Sequence, residues 1–167
     1  MFRKKCAASS ELSGDMRCAD ASDLEVVRTI TADAYATFQA DIGMVPLPVA
    51  EDYAPRIARG EVWLKDEAGL PVALVVLESY PDHLVIFSVA VRREWQGQSL
   101  GGDLLRFADS KAREAKVPEI RLYTNGRMVR QMALYRRHGF ARVGQRPHPT
   151  LPGHTLVDMT KPTPIDD

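Results

Sequence analysis

The sequence predicts a mixed α/β (α+β) domain, a mostly antiparallel central sheet of about seven strands covered by four helices. Three observations lead there. Helical and strand periods alternate through the 167 residues with no internal repeat or low-complexity block. Three β-rich stretches follow one another with only short turns between them, as in an antiparallel meander. A strand-helix-strand unit comes next and has strands on both sides of it, which makes the sheet mixed. The order is β-α-α-β-β-β-α-β-α-β-β.

Residues 1–14 have no hydrophobic period and are rich in Ser, Ala and charge, so they read as a flexible arm. One domain follows over 15–161, and 162–167 form a Pro-broken acidic tail. Residues 16–19 suit a short first strand, after which Asp20 or Ser22 supplies a helix N-cap. Leu24, Val27, Ile30, Ala34 and Phe38 recur at spacings of three and four, the period of one buried helical face, which carries the first helix to about residue 40. Gly43, Pro46 and Pro48 make 41–48 a loop. Residues 51–59 form a second helix with Tyr53 and Ile57 on one side, ended by Gly60. The meander strands are 62–64, 71–77 and 84–91, separated by Glu67-Ala68-Gly69 and Tyr80-Pro81-Asp82. A helix over 99–116, a strand over 120–124, a helix over 127–138, and strands over 141–145 and 155–159 complete the chain.

Lys plus Arg and Asp plus Glu each total 22, so no net field draws the chain to nucleic acid or an anionic membrane. No window approaches the ~18 consecutive apolar residues of a membrane span, and the start lacks the apolar core of a secretory signal. A soluble cytoplasmic protein is expected. Cys6 and Cys18 form no CxxC pair and are read as free thiols in a reducing compartment.

The most informative stretch is Val89-Ala90-Val91-Arg92-Arg93-Glu94-Trp95-Gln96-Gly97-Gln98-Ser99-Leu100-Gly101-Gly102. A buried strand runs into a Gly-containing turn and then into an amphipathic helix anchored by Leu104, Leu105, Phe107 and Ala108. Glycine lets the backbone approach a ligand, and the first N–H groups of a helix have no intrahelical partner, so an anion such as a diphosphate satisfies them. A Walker loop is excluded because Asp103, not Lys, follows Gly102. A dinucleotide fingerprint is excluded because Gly97 and Gly101 have the wrong spacing.

The stretch resembles the acetyl-CoA turn of GNAT-type N-acetyltransferases, [QR]-x-x-G-x-[GA], which Gln96, Leu100 and Gly101 match while Ser99 stands at the usual Gly. Ser99 adds a Cβ near the pyrophosphate, or else donates its hydroxyl to phosphate or caps the helix. Downstream, Arg121-Leu122-Tyr123-Thr124-Asn125 and Ala133-Leu134-Tyr135-Arg136-Arg137-His138-Gly139-Phe140 resemble the family's fifth strand and its LYxxxGF ending. Met128 stands where the family often has Asn, seven residues before the Tyr, which is read as a subfamily character.

The resemblance covers nearly the whole chain and implies a V-shaped split between the fourth and fifth strands. It implies acetyl-CoA as co-substrate. No metal is expected, because His148 and His154 lack the spacing and carboxylate companions of a zinc site and suit a loop position. Gln96, Gly97, Gln98, Ser99, Leu100, Gly101 and Gly102 would hold the pyrophosphate. Pantetheine would pair like an added strand with the main chain of Val89, Ala90 and Val91. The Tyr135 phenol, near the sulfur, would protonate the leaving thiolate, two groups of similar basicity. Asn125 is either a cofactor contact or half of an ordinary Asn-Gly turn.

An attacking amine must first lose a proton. Glu78, at the end of the third strand, is the first candidate base, directly or through water, and His83 the second. An oxyanion would meet a main-chain N–H near Val89. Ser88 either orients the acceptor or satisfies a backbone group. The first two helices and last hairpin would form the acceptor pocket, with Tyr35, Phe38, Tyr53, Arg146, His148 and His154 in view, although Tyr35 and Phe38, three apart, also suit core packing. The acceptor would be a primary amine of a small molecule or a peptide, and the family allows a homodimer. The alternative is a weak or inactive CoA-binding sensor.

Overall fold

The computed structural model describes residues 16–165, so the arm predicted over 1–14 lies outside the described residues. Seven strands are hydrogen-bonded in the order β1-β2-β3-β4-β5-β7-β6. They are β1 (Met16–Cys18), β2 (Val62–Glu67), β3 (Leu70–Ser79), β4 (Leu84–Val91), β5 (Glu119–Asn125), β6 (Ala141–Pro147) and β7 (Thr155–Pro162). The helices are α1 (Leu24–Ile42), α2 (Leu47–Ala50), α3 (Tyr53–Ala58), α4 (Leu100–Ala115) and α5 (Val129–Arg137). By backbone contacts the described chain divides into two compact units, one holding the residues up to Leu77 and Ser88–Leu104, the other Glu78–Phe87 and the residues from Leu105.

In the first unit, β1 pairs antiparallel with β2, and β2 with β3. The β2–β3 hairpin turns at Ala68 (φ 50°) and Gly69 (φ 79°), the pair of left-handed residues that a tight hairpin requires. Val27 and Ile30 of α1, Val62 and Leu64 of β2, and Leu74 and Val75 of β3 are fully buried. Each such side chain contributes about 1.5–3 kcal/mol through removal from water. Burial runs unbroken from Val72 to Leu77, so β3 is covered on both faces, which explains its continuous apolar sequence.

Asp20 does cap the first helical turn: it accepts from the Ser22 N–H, and Asp23 accepts from the Asp20 N–H, both at 2.9 Å. Arg17 joins β1 to this cap by donating to Asp23 (2.9 Å) and also reaches Asp66 (2.8 Å). The Arg17 hydrogen bond holds the Asp23 carboxyl below the usual carboxylate range, against the opposing effect of burial. α1 runs past residue 40 and ends at Gly43, whose left-handed backbone (φ 68°) lets its N–H bond to the Gln39 carbonyl.

Two expectations need correction here. The segment 41–48 is not all loop, because a fifth helix, α2, starts at Leu47 with Pro48 in its first turn, where proline's missing N–H costs nothing. Cys18 is not a free thiol but belongs to a disulfide; Cys6 lies outside the described residues.

In the second unit, β4 pairs parallel with β5 over Leu84–Ile86 against Ile120–Leu122, and the predicted V-shaped split falls at this parallel pair. β5 pairs antiparallel with β7 along its whole length, and β6 lies outside β7 with an irregularity between Arg142 and Gly144. Leu105, Ala108 and Ala112 of α4 are buried, as are Ile120, Leu122, Leu156 and Met159 of the strands. Among the described residues, no helix is long and apolar enough to cross a membrane.

A buried ion pair ties α4 to β7 in this unit: Lys161 Nζ lies 2.8 Å from Asp109, with both side chains under 15% exposed. The same ammonium stands 5.5 Å from the Phe140 ring centre, a cation–π distance. Removing one partner strands a buried charge, so Asp109→Asn is expected to cost about 3 kcal/mol in urea unfolding. The double variant Asp109→Leu/Lys161→Met should recover much of that loss.

Candidate active site

Within the first unit, the turn that follows β4 is held from several sides. The Arg92 N–H donates to the Val72 carbonyl and its guanidinium to the Pro71 carbonyl, both at 2.9 Å. The Arg93 N–H donates to Asp33 of α1 at 2.8 Å. A single 3₁₀ turn, Arg93–Trp95, leads to Gln96, whose side-chain amide donates back to the Val91 carbonyl at 3.0 Å. These bonds fix the turn before any ligand arrives, and the Asp33 and Pro71 contacts, made across the fold, leave no local signal in the chain.

The backbone is left-handed at Gly97 (φ 81°) and again at Ser99 (φ 65°). Ser99 thus holds the conformation that glycine adopts without penalty, at a cost of about 1 kcal/mol. Gln96, Gly97, Gln98 and Ser99 are all exposed, and a Cβ built on Gly97 would meet nothing within 4 Å. α4 starts at Leu100, with the Asp103 N–H bonded to the Ser99 carbonyl. The N–H groups of Leu100, Gly101 and Gly102 precede that first helical bond and lack helical acceptors. An open, positively polarised helix start beside free space fits a diphosphate.

The same unit places Tyr35, Phe38, Tyr53 and Ser88. Tyr35 and Tyr53 are buried and Phe38 is half-buried. The Tyr53 hydroxyl donates to the Pro48 carbonyl at 2.6 Å, which anchors α2 to α3. Burial pushes the Tyr35 phenol above its usual pKa, and the nearby Ser88 hydroxyl pulls the other way. Ser88 Oγ nonetheless has no hydrogen bond of normal geometry among the described residues. Val89 and Val91 alternate with buried Ser88 and Ala90 along β4.

The second unit holds Tyr135, Asn125, Glu78 and His83. Tyr135 is 8% exposed and packs edge-to-face on Phe140 with ring centres 6.0 Å apart. Its carbonyl accepts the Phe140 N–H, closing α5, and Gly139 takes φ 95° in between. The Tyr-x-x-x-Gly-Phe spacing is therefore a helix C-cap that locks one aromatic ring against another.

Both polar ends of the Asn125 side chain are committed locally. Its Oδ1 accepts from the Arg127 N–H at 3.0 Å, and its Nδ2 lies 2.8 Å from His154 Nδ1. His154 is 6% exposed. His148 Nδ1 accepts the Thr150 and Leu151 N–H groups, so the two histidines brace the β6–β7 hairpin. Desolvation, followed by the charges of His154 and Arg146, lowers the His148 pKa.

A cleft of about 660 Å³ opens in this unit, with Glu78, Tyr80 and His83 on one side and Arg121, Tyr123 and Asp158 on the other. The Tyr80 hydroxyl donates to Glu78 at 3.4 Å, and its ring stacks on His83 with centres 4.6 Å apart. His83 Nδ1 lies 2.7 Å from Asp82, and that hydrogen bond lowers the Asp82 pKa. The structure thus brings the two candidate bases into one cleft. Tyr80, Arg121, Tyr123 and Asp158 were not picked out by sequence, although Glu119, Arg121 and Tyr123 alternate with buried Ile120, Leu122 and Thr124 on β5. Among the described residues, no group of three or more His, Cys, Asp or Glu is placed to hold a metal.

The acetyltransferase (GNAT) domain profile matches residues 58–142, which is more than half of the chain. The chain belongs to the GNAT acetyltransferase family. Solved GNAT structures share its fold. The ribosomal-protein-S18-alanine N-acetyltransferase from Escherichia coli is 21% identical with a TM-score of 0.68, covering 91% of this chain and 95% of that one. Ard1 from Thermoplasma volcanium is 18% identical with a TM-score of 0.73, covering 92% and 100%. The PaiA N-acetyltransferase from Thermoplasma acidophilum, solved with coenzyme A, is 15% identical with a TM-score of 0.72, covering 88% and 97%. No curated protein matches the sequence. Membership in the GNAT family supports acetyl transfer from acetyl-CoA.

The Asn125-Gly126 corner yields a test of this geometry. A Cβ on Gly126 would lie 2.6 Å from Thr155 Oγ1. Gly126→Ala is expected to cost about 1–3 kcal/mol in denaturant unfolding. Adding Thr155→Ala should return part of it, and a strictly additive double variant would show that the two positions do not meet.

Proposed function

We propose that this GNAT protein transfers the acetyl group of acetyl-CoA to a primary amine of a small molecule or peptide, by direct attack in a ternary complex. The observation that carries the proposal is the fixed turn at 96–102, with left-handed Gly97 and Ser99 feeding the unsatisfied N–H groups of α4. Its polarity and openness suit a diphosphate, and the nucleotide loops that share those traits need a Lys or a glycine spacing that is absent here.

Acetyl-CoA, when bound, supplies an activated thioester. The protein's part is to fix, deprotonate and reprotonate. In this reading Gln96 to Gly102 fix the pyrophosphate, and the main chain of Val89 to Val91 takes the pantetheine amides as a strand would. Glu78 accepts the proton that the ammonium must lose before its lone pair is available. The N–C bond then forms as the C–S bond breaks, and the Tyr135 phenol gives its proton to the departing sulfur. Asn125 contributes by shaping the end of β5, since its side chain is already engaged. Tyr35, Phe38, Tyr53 and Ser88 line the acceptor side.

A thermal-shift titration comes first: acetyl-CoA and free CoA should raise the melting temperature, and ATP and NAD should not, because only a ligand of the native state stabilises it. No shift at millimolar CoA would overturn the proposal. In a free-thiol release assay, Tyr135→Phe should lower kcat about a hundredfold, with an unchanged acetyl-CoA thermal shift, if the phenol is the general acid. Glu78→Gln should lower kcat/KM about tenfold or more, with the loss largest below neutral pH, where free amine is scarcest.

A further inference from the structure

Tyr135 stands at one end of a line of contacts that joins three elements of the second unit. Its ring meets Phe140 edge to face, with centres 6.0 Å apart and planes at 67°. Phe140 is buried and in turn carries the Lys161 ammonium 5.5 Å from its ring centre. That ammonium lies 2.8 Å from Asp109. Asp109 belongs to α4 and Lys161 to β7, while Phe140 closes α5 through the bond from its N–H to the Tyr135 carbonyl. The lysine stem also touches the cap, since a Cβ on left-handed Gly139 would lie 3.9 Å from Lys161 Cε. The charges of the pair are felt there too: desolvation, followed by Arg106 and Lys161, lowers the pKa of His138, with Asp109 opposing.

Stability alone gives little reason for this arrangement. Apolar side chains of similar volume in place of a buried ion pair are often as stable or more so, because two charges need not then be stripped of water. What the pair adds is direction. A charge-assisted N–H···O bond has a preferred length and angle, and an ammonium prefers the face of a ring. A purely apolar contact fixes neither.

We infer that Lys161 is a positioning residue for Tyr135: its ammonium, held by Asp109, fixes the Phe140 ring, and that ring fixes the angle of the phenol. The inference rests on the acetyltransferase reading, in which the Tyr135 O–H gives its proton to the departing sulfur. A proton passes only over hydrogen-bond distance, so a tilt of the ring that moves the phenol oxygen by about 1 Å costs rate while cofactor binding stays intact. The Phe140 N–H bond at 3.0 Å holds the backbone of the cap, but ring orientation is a separate freedom, set by side-chain torsions that the edge-to-face contact restricts. Lys161 is buried and acts through Phe140, not on a ligand.

The double variant Asp109→Leu/Lys161→Met keeps most of the pair's volume and removes its direction. Free-thiol release from acetyl-CoA is followed in the full-length protein with phenethylamine, spermidine and an Ala-initiated hexapeptide as probes. On whichever probe is acetylated, the double variant should lower kcat about tenfold, with the acetyl-CoA KM and thermal shift unchanged. In a Tyr135→Phe background the same change should lower kcat less than about twofold, because no phenol is left to misplace. General loosening of the fold would cost the same factor in both backgrounds. Phe140→Leu keeps an apolar side chain but removes the ring between ammonium and phenol. It should reproduce the loss and its dependence on Tyr135, and it decides the question if the double variant does not fold.

A second readout needs no turnover. With the five tyrosines replaced by meta-fluorotyrosine, Tyr135→Phe identifies the Tyr135 line in the fluorine NMR spectrum. That line should split or broaden in both variants as the ring gains a second position. A full-speed double variant beside a slow Tyr135→Phe, equal losses in both backgrounds, or an unaltered Tyr135 line overturns the inference and leaves the acetyltransferase reading intact. A Tyr135→Phe enzyme at full speed removes the general acid and the inference with it. A split line without acetyl transfer to any probe upholds the link from Lys161 to Tyr135 and counts against the enzymatic reading instead.

Discussion

The parallel pairing of β4 with β5 is the constraint from which the site follows. Parallel neighbours cannot be joined by a hairpin, so the chain must leave the end of β4, cross over, and return to begin β5. α4 is that crossover, and its N-terminus must therefore stand just past Val91. Open sheets with this connection bind ligands at the carboxyl ends of their strands for the same reason: the crossover points unsatisfied amides there. The left-handed residues at Gly97 and Ser99 are the local means by which an extended strand becomes a helix within so few residues. Their strain is sustained by the bonds from Arg92, Arg93 and Gln96 to neighbouring backbone and to Asp33.

A second theme is how much of the polar inventory is spent on structure. Asn125, His148 and His154 each spend side-chain polar atoms on neighbours in the β5 and β6–β7 region. Buried polar groups must be satisfied, and side chains near a chain reversal are the nearest means of doing so. The Ser88 hydroxyl is one of three exceptions among the described residues, with Asp66 Oδ1 and Thr163 Oγ1, each buried with no hydrogen bond of normal geometry. The cleft around Glu78 differs again, because its polar side chains are half-exposed or exposed. Such groups are where a ligand can contribute contacts without first breaking a buried network.

Most of the fold was legible because its signals are local. The strand over 84–91 matches β4 end to end, and the helix expected over 99–116 differs from α4 by one residue at each end. Apolar spacing along a single element survives any tertiary context. α2 was missed because prolines mark both loops and first helical turns, and only the observed backbone separates the two. The disulfide at Cys18 was missed because pairing depends on spatial proximity, which cysteine spacing alone does not report.

The sequence by itself determined the order and type of nearly all the elements, the glycine-bearing turn at 96–102, and the C-cap that fixes Tyr135 against Phe140, since each is written in contiguous residues. Tertiary structure alone decided the cleft. Glu78, Arg121, Tyr123 and Asp158 come from three strands, β3, β5 and β7, and only the sheet's register and its alternation of faces bring side chains so far apart in the chain around one volume. Contacts of that kind are set by strand order, which no stretch of sequence encodes locally.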